Sequence, residues 1–167
     1  RGLVGSEMCI RDRDNPVNYF IRGVFYKDIA NYKNAINDFS QALKIDPNYA
    51  LTYFERALSK LELNDYSGSI KDFDKSIQID PKNFNNYLQR GFAKDALGDY
   101  KGALNDYTKA IELNPNPGET SYFRRAYTHA KIKNFSEAII DYSQALEINP
   151  KNEDALFYRA FTKALIG

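Results

Sequence analysis

The chain has 167 residues, 43% of them hydrophobic and 14% aromatic, which is enough apolar material for a packed core. Its 23 Lys and Arg nearly balance its 22 Asp and Glu, so no large field of one sign exists to attract nucleic acid or an anionic membrane. No run of about twenty apolar residues predicts a membrane span. A single cysteine excludes an internal disulfide.

Residues 1–13 resemble one translated reading frame of a transposon-end sequencing adapter, with Leu3 to Asp12 as the ordered match. We exclude this segment from the fold prediction, as one would exclude a cloning scar. The only methionine, Met8, and the only cysteine, Cys9, lie within it, so neither is given a redox, metal or initiation role. The alternative interpretation, a short disordered tail, leaves the rest of the prediction unchanged.

A repeat begins directly after this segment. Strings of the type Ile-Asp-Pro end at Pro47, Pro81, Pro115 and Pro150, and these prolines lie 34, 34 and 35 residues apart. The period predicts repeat units at 16–49, 50–83, 84–117 and 119–152, with Gly118 inserted, and a truncated fifth unit at 153–167.

Each unit is predicted to be a pair of helices. In the second unit, apolar residues recur at helical spacing from Tyr53 to Leu61, Asn64 and the following aspartate interrupt the pattern, and it resumes from Ile70 to Ile77. The proline near the end of each unit stops the second helix, because it lacks an N–H and disfavours helical geometry in the residue before it.

Small residues and rings recur in register through the units. The small residues of the first helices are Gly23, Ala57, Gly91, Ala126 and Ala160, and those of the second helices are Ala35, Ser69, Ala103 and Ala138. The recurring rings are Tyr19, Tyr53, Tyr87 and Tyr122, then Phe39, Phe73, Tyr107 and Tyr142. This pattern resembles the tetratricopeptide-repeat (TPR) family. The resemblance implies an all-α, right-handed solenoid of antiparallel helical hairpins that holds other proteins.

The resemblance also implies a binding groove lined by the first helices. Its expected inner wall is largely apolar and consists of Phe20, Val24, Phe54, Leu58, Leu88, Phe92, Phe123, Tyr127, Phe157 and Phe161. Such a wall favours a partner peptide or amphipathic helix. The alternative for any single ring is simple packing between helices. A TPR subclass that grips a C-terminal carboxylate has a leading Lys and Asn where this chain has Phe20 and Val24, which disfavours that function.

Two charged series depart from the family pattern. Arginine precedes the small residue of every first helix, and aspartate recurs in every second helix: Arg22, Arg56, Arg90, Arg125 and Arg159, with Asp38, Asp72, Asp106 and Asp141. Partners sixteen residues apart cannot meet along one helix, but they can meet across a hairpin or between neighbouring units. We predict a structural ladder of partly buried charge-assisted bonds. The alternative is that the arginines present themselves to anionic ligand groups.

No catalytic or metal site is predicted, and no cofactor. The sole histidine, His129, occupies a repeat position that holds Lys60 and Lys94 in other units. The leading functional hypothesis is a protein-interaction scaffold. A second is a regulatory or substrate-recruiting arm of a larger enzyme whose catalytic domain lies outside this sequence. A third, RNA binding, is disfavoured by the neutral charge balance.

The fifth unit contains only a first helix. We expect the chain to be part of a longer protein, and we expect an exposed apolar edge on the helix from Glu153 to Ile166, through which copies of the chain would self-associate.

Overall fold

The structure, a computed structural model, describes residues 15–167, which form two compact units divided after Pro81. The interpretation of residues 1–13 lies outside the described residues. Within those described, all regular structure is helical. Unit 1 contains α1 (Pro16–Asp28), α2 (Tyr32–Ile45), α3 (Ala50–Glu62) and α4 (Tyr66–Ile79). Unit 2 contains α5 (Phe84–Ala96), α6 (Tyr100–Leu113), α7 (Glu119–Lys131), α8 (Phe135–Ile148) and α9 (Glu153–Ala164).

The turn inside three of the four hairpins is short because one residue serves both helices, whereas in the fourth hairpin Asn134 closes α7 without a side-chain cap on α8. Asp65 donates its backbone N–H to the carbonyl of Lys60 at 2.9 Å, which closes α3. Its side chain then accepts the backbone N–H of Gly68 at 2.9 Å, which caps α4. The residue before it takes a left-handed backbone in every turn, with φ of 57° at Ala30, 58° at Asn64, 83° at Gly98 and 64° at Lys133.

The connections between hairpins use a polar residue followed by proline. Asp46 ends α2, and its side chain accepts the N–H of Asn48 at 2.9 Å across Pro47. Asn114 does the same for Asn116 at 3.1 Å after α6. Each side-chain turn gives a hydrogen-bond acceptor to a backbone N–H just after the proline, and the turn lets the next first helix begin within a few residues.

The core of each unit forms where a ring of a second helix meets a small residue of a first helix. Phe39 and Phe73 are fully buried in unit 1, and Tyr107 and Tyr142 are their counterparts in unit 2. A Cβ atom added to Gly23 would lie 2.6 Å from the Phe39 ring, and one added to Gly91 would lie 2.8 Å from the Tyr107 ring. The small residues therefore allow the two helices of a hairpin to approach closely.

The left-handed turn position provides a test of the hairpin geometry. Gly98→Ala should lower the free energy of unfolding by about 1 kcal/mol, because alanine is strained at positive φ. The strain is conformational, since nothing lies within 4 Å of a Cβ atom built at Gly98. The reverse change at the equivalent position, Ala30→Gly, should not destabilise. Urea unfolding followed by circular dichroism measures both, and an equal loss in both variants would contradict this account of the turn.

Candidate functional site

The predicted groove residues all lie on first helices, which are α1 and α3 in unit 1 and α5, α7 and α9 in unit 2. Most are half-buried. The rings of Phe20 and Phe54 each lie 5.9 Å from a buried ring of the paired second helix, so part of their surface packs into the hairpin. Leu88 is buried at 9% exposure, whereas Phe157 and Phe161 of α9 are 64% and 54% exposed.

The apolar exposure on α9 extends beyond those two rings. Leu156, Leu165 and Ile166 are each between 42% and 54% exposed, and the rings of Phe157 and Phe161 lie parallel with their centroids 6.2 Å apart. These side chains form an apolar edge along α9 and the two residues that follow it. Whether copies of the chain associate through it stays a prediction.

The arginine and aspartate series pair within each hairpin. The Nε atom of Arg125 donates to Asp141 Oδ2 at 2.7 Å, and Nη2 donates to Oδ1 at 2.8 Å. The same two-bond geometry joins Arg56 to Asp72, and it recurs in the first and third hairpins with bonds of 2.6 to 2.8 Å. The four aspartates are 2 to 4% exposed, so each buried carboxylate receives a planar two-point partner.

These arginines also contact residues outside the pair. Arg56 Nη1 donates to Ser40 Oγ of the preceding hairpin at 2.9 Å, and Arg125 Nη1 donates to Thr108 Oγ1 at 3.1 Å. In all four hairpins the guanidinium lies 5.5 to 5.9 Å from the ring of the tyrosine three residues earlier. The guanidinium groups are thus occupied by protein partners, and three of the four are largely buried whereas Arg22 is 57% exposed, which favours the structural interpretation over presentation to a ligand.

The fourth hairpin has a histidine where two others add a second cation. Lys60 lies 2.7 Å from Asp72, and Lys94 lies 2.8 Å from the equivalent Asp106. In the fourth hairpin the position is His129, whose buried Nδ1 has no hydrogen-bond partner. Burial lowers the pKa of His129, while the Asp141 carboxylate opposes that change. The imidazole is therefore held in its neutral form near pH 7.

Unit 2 contains an open cleft of about 370 Å³ between its first helices. Rings line much of it, from Phe92 on α5, Phe123 and Tyr127 on α7, and Tyr158 on α9, with Tyr107 of α6 also contributing. This volume falls in the range of pockets that bind small molecules, about 300 to 1,000 Å³. The cleft brings together Phe92, Phe123 and Tyr127 of the predicted groove wall.

The cleft also contains charges that the sequence-based site prediction omitted. Arg124 of α7 lies over the Phe92 ring, 4.5 Å from its centroid. Asp95 of α5 accepts a hydrogen bond from Thr128 Oγ1 at 2.9 Å and pairs with Lys131 at 2.7 Å. The signal that could have found Arg124 is its departure from the repeat, since the equivalent positions hold Ile21, Glu55, Gln89 and Tyr158.

A tyrosine hydroxyl next to the cleft has no protein partner. Tyr142 is fully buried, its ring lies parallel to that of Tyr158 at 6.2 Å, and its hydroxyl makes no hydrogen bond. Burial raises the pKa of Tyr142, so the group stays protonated and keeps its capacity to donate. Such unsatisfied groups are uncommon in folded proteins.

Within residues 15–167, no group of three or more His, Cys, Asp and Glu side chains is arranged to hold a metal ion. None of the helices in that range has the length and apolar character needed to cross a bilayer.

The fold and the repeated sites define a class of all-α proteins built from helical hairpins. Family models described as tetratricopeptide repeat match residues 17–49, 50–83, 86–117 and 120–152. The chain therefore belongs to the TPR family, and the predicted family and all-α repeat fold are confirmed. The exact repeat limits predicted from the proline spacing stay predictions.

Solved structures resemble this chain in fold. MamA has a TM-score of 0.84 at 19% identity, over 88% of this chain and 80% of MamA. YrrB, described as a TPR protein with an unusual peptide-binding site, has a TM-score of 0.83 at 19% identity, over 96% and 82%. The first TPR of Spaghetti (RPAP3) bound to the HSP90 peptide SRMEEVD has a TM-score of 0.67 at 26% identity, over 71% and 94%. No curated protein matches the chain significantly by sequence.

The fourth Arg–Asp pair can be tested by a double-mutant cycle. Arg125→Met or Asp141→Asn should each cost about 3 kcal/mol of unfolding free energy, because each leaves a buried partner unpaired. The double variant should cost little more than either single one, which gives a coupling above about 1.5 kcal/mol. The same cycle on the exposed pair Lys109 and Glu112 should give a coupling below about 0.5 kcal/mol. Additive effects at Arg125 and Asp141 would rule out the ladder as a stabilising feature.

His129 generates a prediction about pH. Because its pKa is lower in the folded chain than in the unfolded chain, the unfolded chain binds more protons near and below pH 6.5, and stability falls as the pH drops through that value. His129→Lys restores the cation found in two other hairpins, and lysine stays charged throughout this range. As the pH falls from about 7.5 to about 5.5, the free energy of unfolding of the variant should therefore increase relative to that of wild type. Thermal unfolding at each pH measures the difference, and a constant difference would contradict the prediction.

Proposed function

We propose that this chain is a protein-interaction module that binds a peptide or an amphipathic helix of a partner on the outward faces of its first helices. The observation that carries the proposal is the open cleft of unit 2, where rings from three first helices, α5, α7 and α9, lie around one space. Membership of the TPR family supports the same function. So does the peptide complex of the Spaghetti TPR, which is 26% identical to this chain.

The division of roles between the helices favours these faces. Second helices supply the fully buried rings Phe39, Phe73, Tyr107 and Tyr142. First helices have half-exposed side chains that pack on those buried rings. A ligand on these faces would therefore contact side chains that packing already holds in place. Such rigidity lowers the cost of ordering the site on binding.

The apolar wall can supply the binding energy of a short segment. Each large apolar side chain of a partner that becomes buried contributes roughly 1.5 to 3 kcal/mol. Part of this energy offsets the loss of translational and rotational freedom on binding, so we expect a single short peptide to bind no more tightly than the micromolar range, about −8 kcal/mol. The proposal assigns binding and no reaction to this chain. As the recruiting arm of a larger enzyme, the module would use the same faces.

The faces are testable with peptides selected on the folded chain from a random dodecapeptide display library. Phe92→Ser in unit 2 and Phe54→Ser in unit 1 should each weaken binding of peptides that contact that unit by about tenfold or more, because each removes an apolar contact. Fluorescence polarisation with labelled peptides measures the affinity, and circular dichroism checks that the helices remain.

The matched control is Ile140→Ser. Ile140 is also a large apolar residue, it is 61% exposed, and it lies on the second helix α8. Its replacement should leave peptide binding unchanged. If Ile140→Ser weakened binding as much as the first-helix variants, or if neither first-helix variant had an effect, the first-helix faces would not be the binding surface.

A further inference from the structure

One side of α1 presents a row of exposed apolar residues. Val17, Ile21, Phe25 and Ile29 follow one another at four-residue spacing, and they are 43%, 60%, 59% and 56% exposed. Residues four apart lie on the same side of a helix, so the row is continuous along α1 and the residue that follows it. None of the four belongs to the predicted groove wall.

The other units show what this side of a first helix does inside the repeat. At the position of Phe25 they have small residues that are at most 2% exposed, namely Ser59, Ala93, Thr128 and Thr162. Thr128 donates a hydrogen bond to Asp95 of the preceding hairpin at 2.9 Å, so this position faces that hairpin. A hairpin placed before α1 in the same way would meet a phenylalanine ring where the other units have a small side chain. The α1 face therefore does not match the contact that the repeat uses between hairpins.

The centre of the row is specific to the first unit. Ile21 stands where the other units have Glu55, Gln89, Arg124 and Tyr158. By contrast, Val17 and Ile29 have apolar counterparts in the second unit, Leu51 and Leu63. Two large apolar residues one turn apart, Ile21 and Phe25, thus distinguish this face, and both are more than half exposed.

The even spacing of the row allows it to pair with itself. In an antiparallel pair of α1 helices related by a two-fold axis at the middle of the row, Ile21 lies against Phe25 of the second copy, and Val17 lies against Ile29 of the second copy. Every residue of the row then contacts another apolar residue. Rows of residues four apart are also the ridges through which helices of globular proteins most commonly pack.

The charges of α1 are compatible with this pairing. Arg22 lies 2.6 Å from Asp38, and Lys27 lies 2.6 Å from Glu55, so an acid of the same chain neutralises each cation. In the antiparallel register, Arg22 and Lys27 lie opposite uncharged residues of the second copy. Repulsion between like charges therefore does not oppose the contact, and an uncharged row offers no charge by which to select an acidic or basic partner.

We propose that α1 is the interface of a two-fold dimer, in which the apolar row of one chain packs antiparallel on the same row of a second copy. The row and the polar residues beside it would bury roughly 500 Å² per copy, about 1,000 Å² in total, which is near the lower limit of specific interfaces. We therefore expect a reversible dimer with a dissociation constant of tens of micromolar, on the order of 10⁻⁵ M. A two-fold contact closes on itself, so this association stops at the dimer.

Sedimentation equilibrium of the full chain tests the dimer. Wild type should show a monomer–dimer equilibrium between about 5 and about 300 µM, and Phe25→Ser should raise the dissociation constant at least about tenfold. Serine is the residue that the second unit has at this position, so the variant should fold, and circular dichroism checks its helix content. A wild-type chain that stayed monomeric throughout this range, or a dimer that Phe25→Ser did not weaken, would overturn the inference.

Phe161→Ser is the matched control, because it removes a phenylalanine of similar exposure, 54%, from the apolar edge of α9. It should leave the dimer unchanged, and it should remove any larger species that form through that edge. Loss of the dimer in Phe161→Ser alone would assign the association to α9. Equal loss in both variants would indicate a head-to-tail contact between α1 and α9, and either result would contradict a two-fold α1 interface.

Disulfide cross-linking tests the antiparallel register. In a Cys9→Ser background, which removes the only cysteine of the chain, Ile21→Cys and Phe25→Cys chains should cross-link to each other more than either does to itself. A mixture of Ile21→Cys and Phe161→Cys chains should not cross-link. A retained dimer without the cross-link between positions 21 and 25 would refute the register. Peptide binding plays no part in these measurements, so the dimer and the proposed function stand or fall separately.

Discussion

The carboxylate of each second helix is buried, and that single constraint organises the hairpin around it. A carboxylate at 2 to 4% exposure is strongly destabilising unless it is paired and hydrogen-bonded. The arginine of the first helix meets it with two parallel bonds, and this geometry requires both residues at fixed heights on their helices. Register, turn length and the close contact at the small residues are therefore coupled. A shift of either helix along its axis would break the Arg–Asp pair and displace the buried ring at the same time.

The same constraint separates the two kinds of helix face. One face of each second helix lies in the interior because it provides the buried aspartate and the buried ring. The first helices contribute the arginine and the small residue on one side and leave the other side half-exposed. Their outward residues are consequently free to vary, as Ile21, Glu55, Gln89 and Arg124 show at one position. In the function proposed above, such substitutions would change binding specificity without altering the scaffold.

Much of the fold was predictable because each sequence feature of the hairpin occurs four times in register. The proline spacing and the rings in register were sufficient to identify the family, which the family models confirm. The sequence left open whether the arginines pair within a hairpin or between units, because a separation of sixteen residues fits both. The structure places the carboxylate within the hairpin and, for Arg56 and Arg125, a hydroxyl on the preceding one.

The candidate site was less predictable from the sequence, because the repeat pattern identifies only the residues that the units have in common. Comparing the units identified the apolar positions that they share. It could not show that Leu88, which stands where most other units have phenylalanine, is buried. It also passed over Arg124, since the position has no consensus. In a repeat protein, the shared residues are those that every hairpin needs to fold. Arg124 occurs once at its position, and it lies over the Phe92 ring and donates a hydrogen bond to the buried Tyr107, so contacts of this cleft that the other repeats do not share explain its placement.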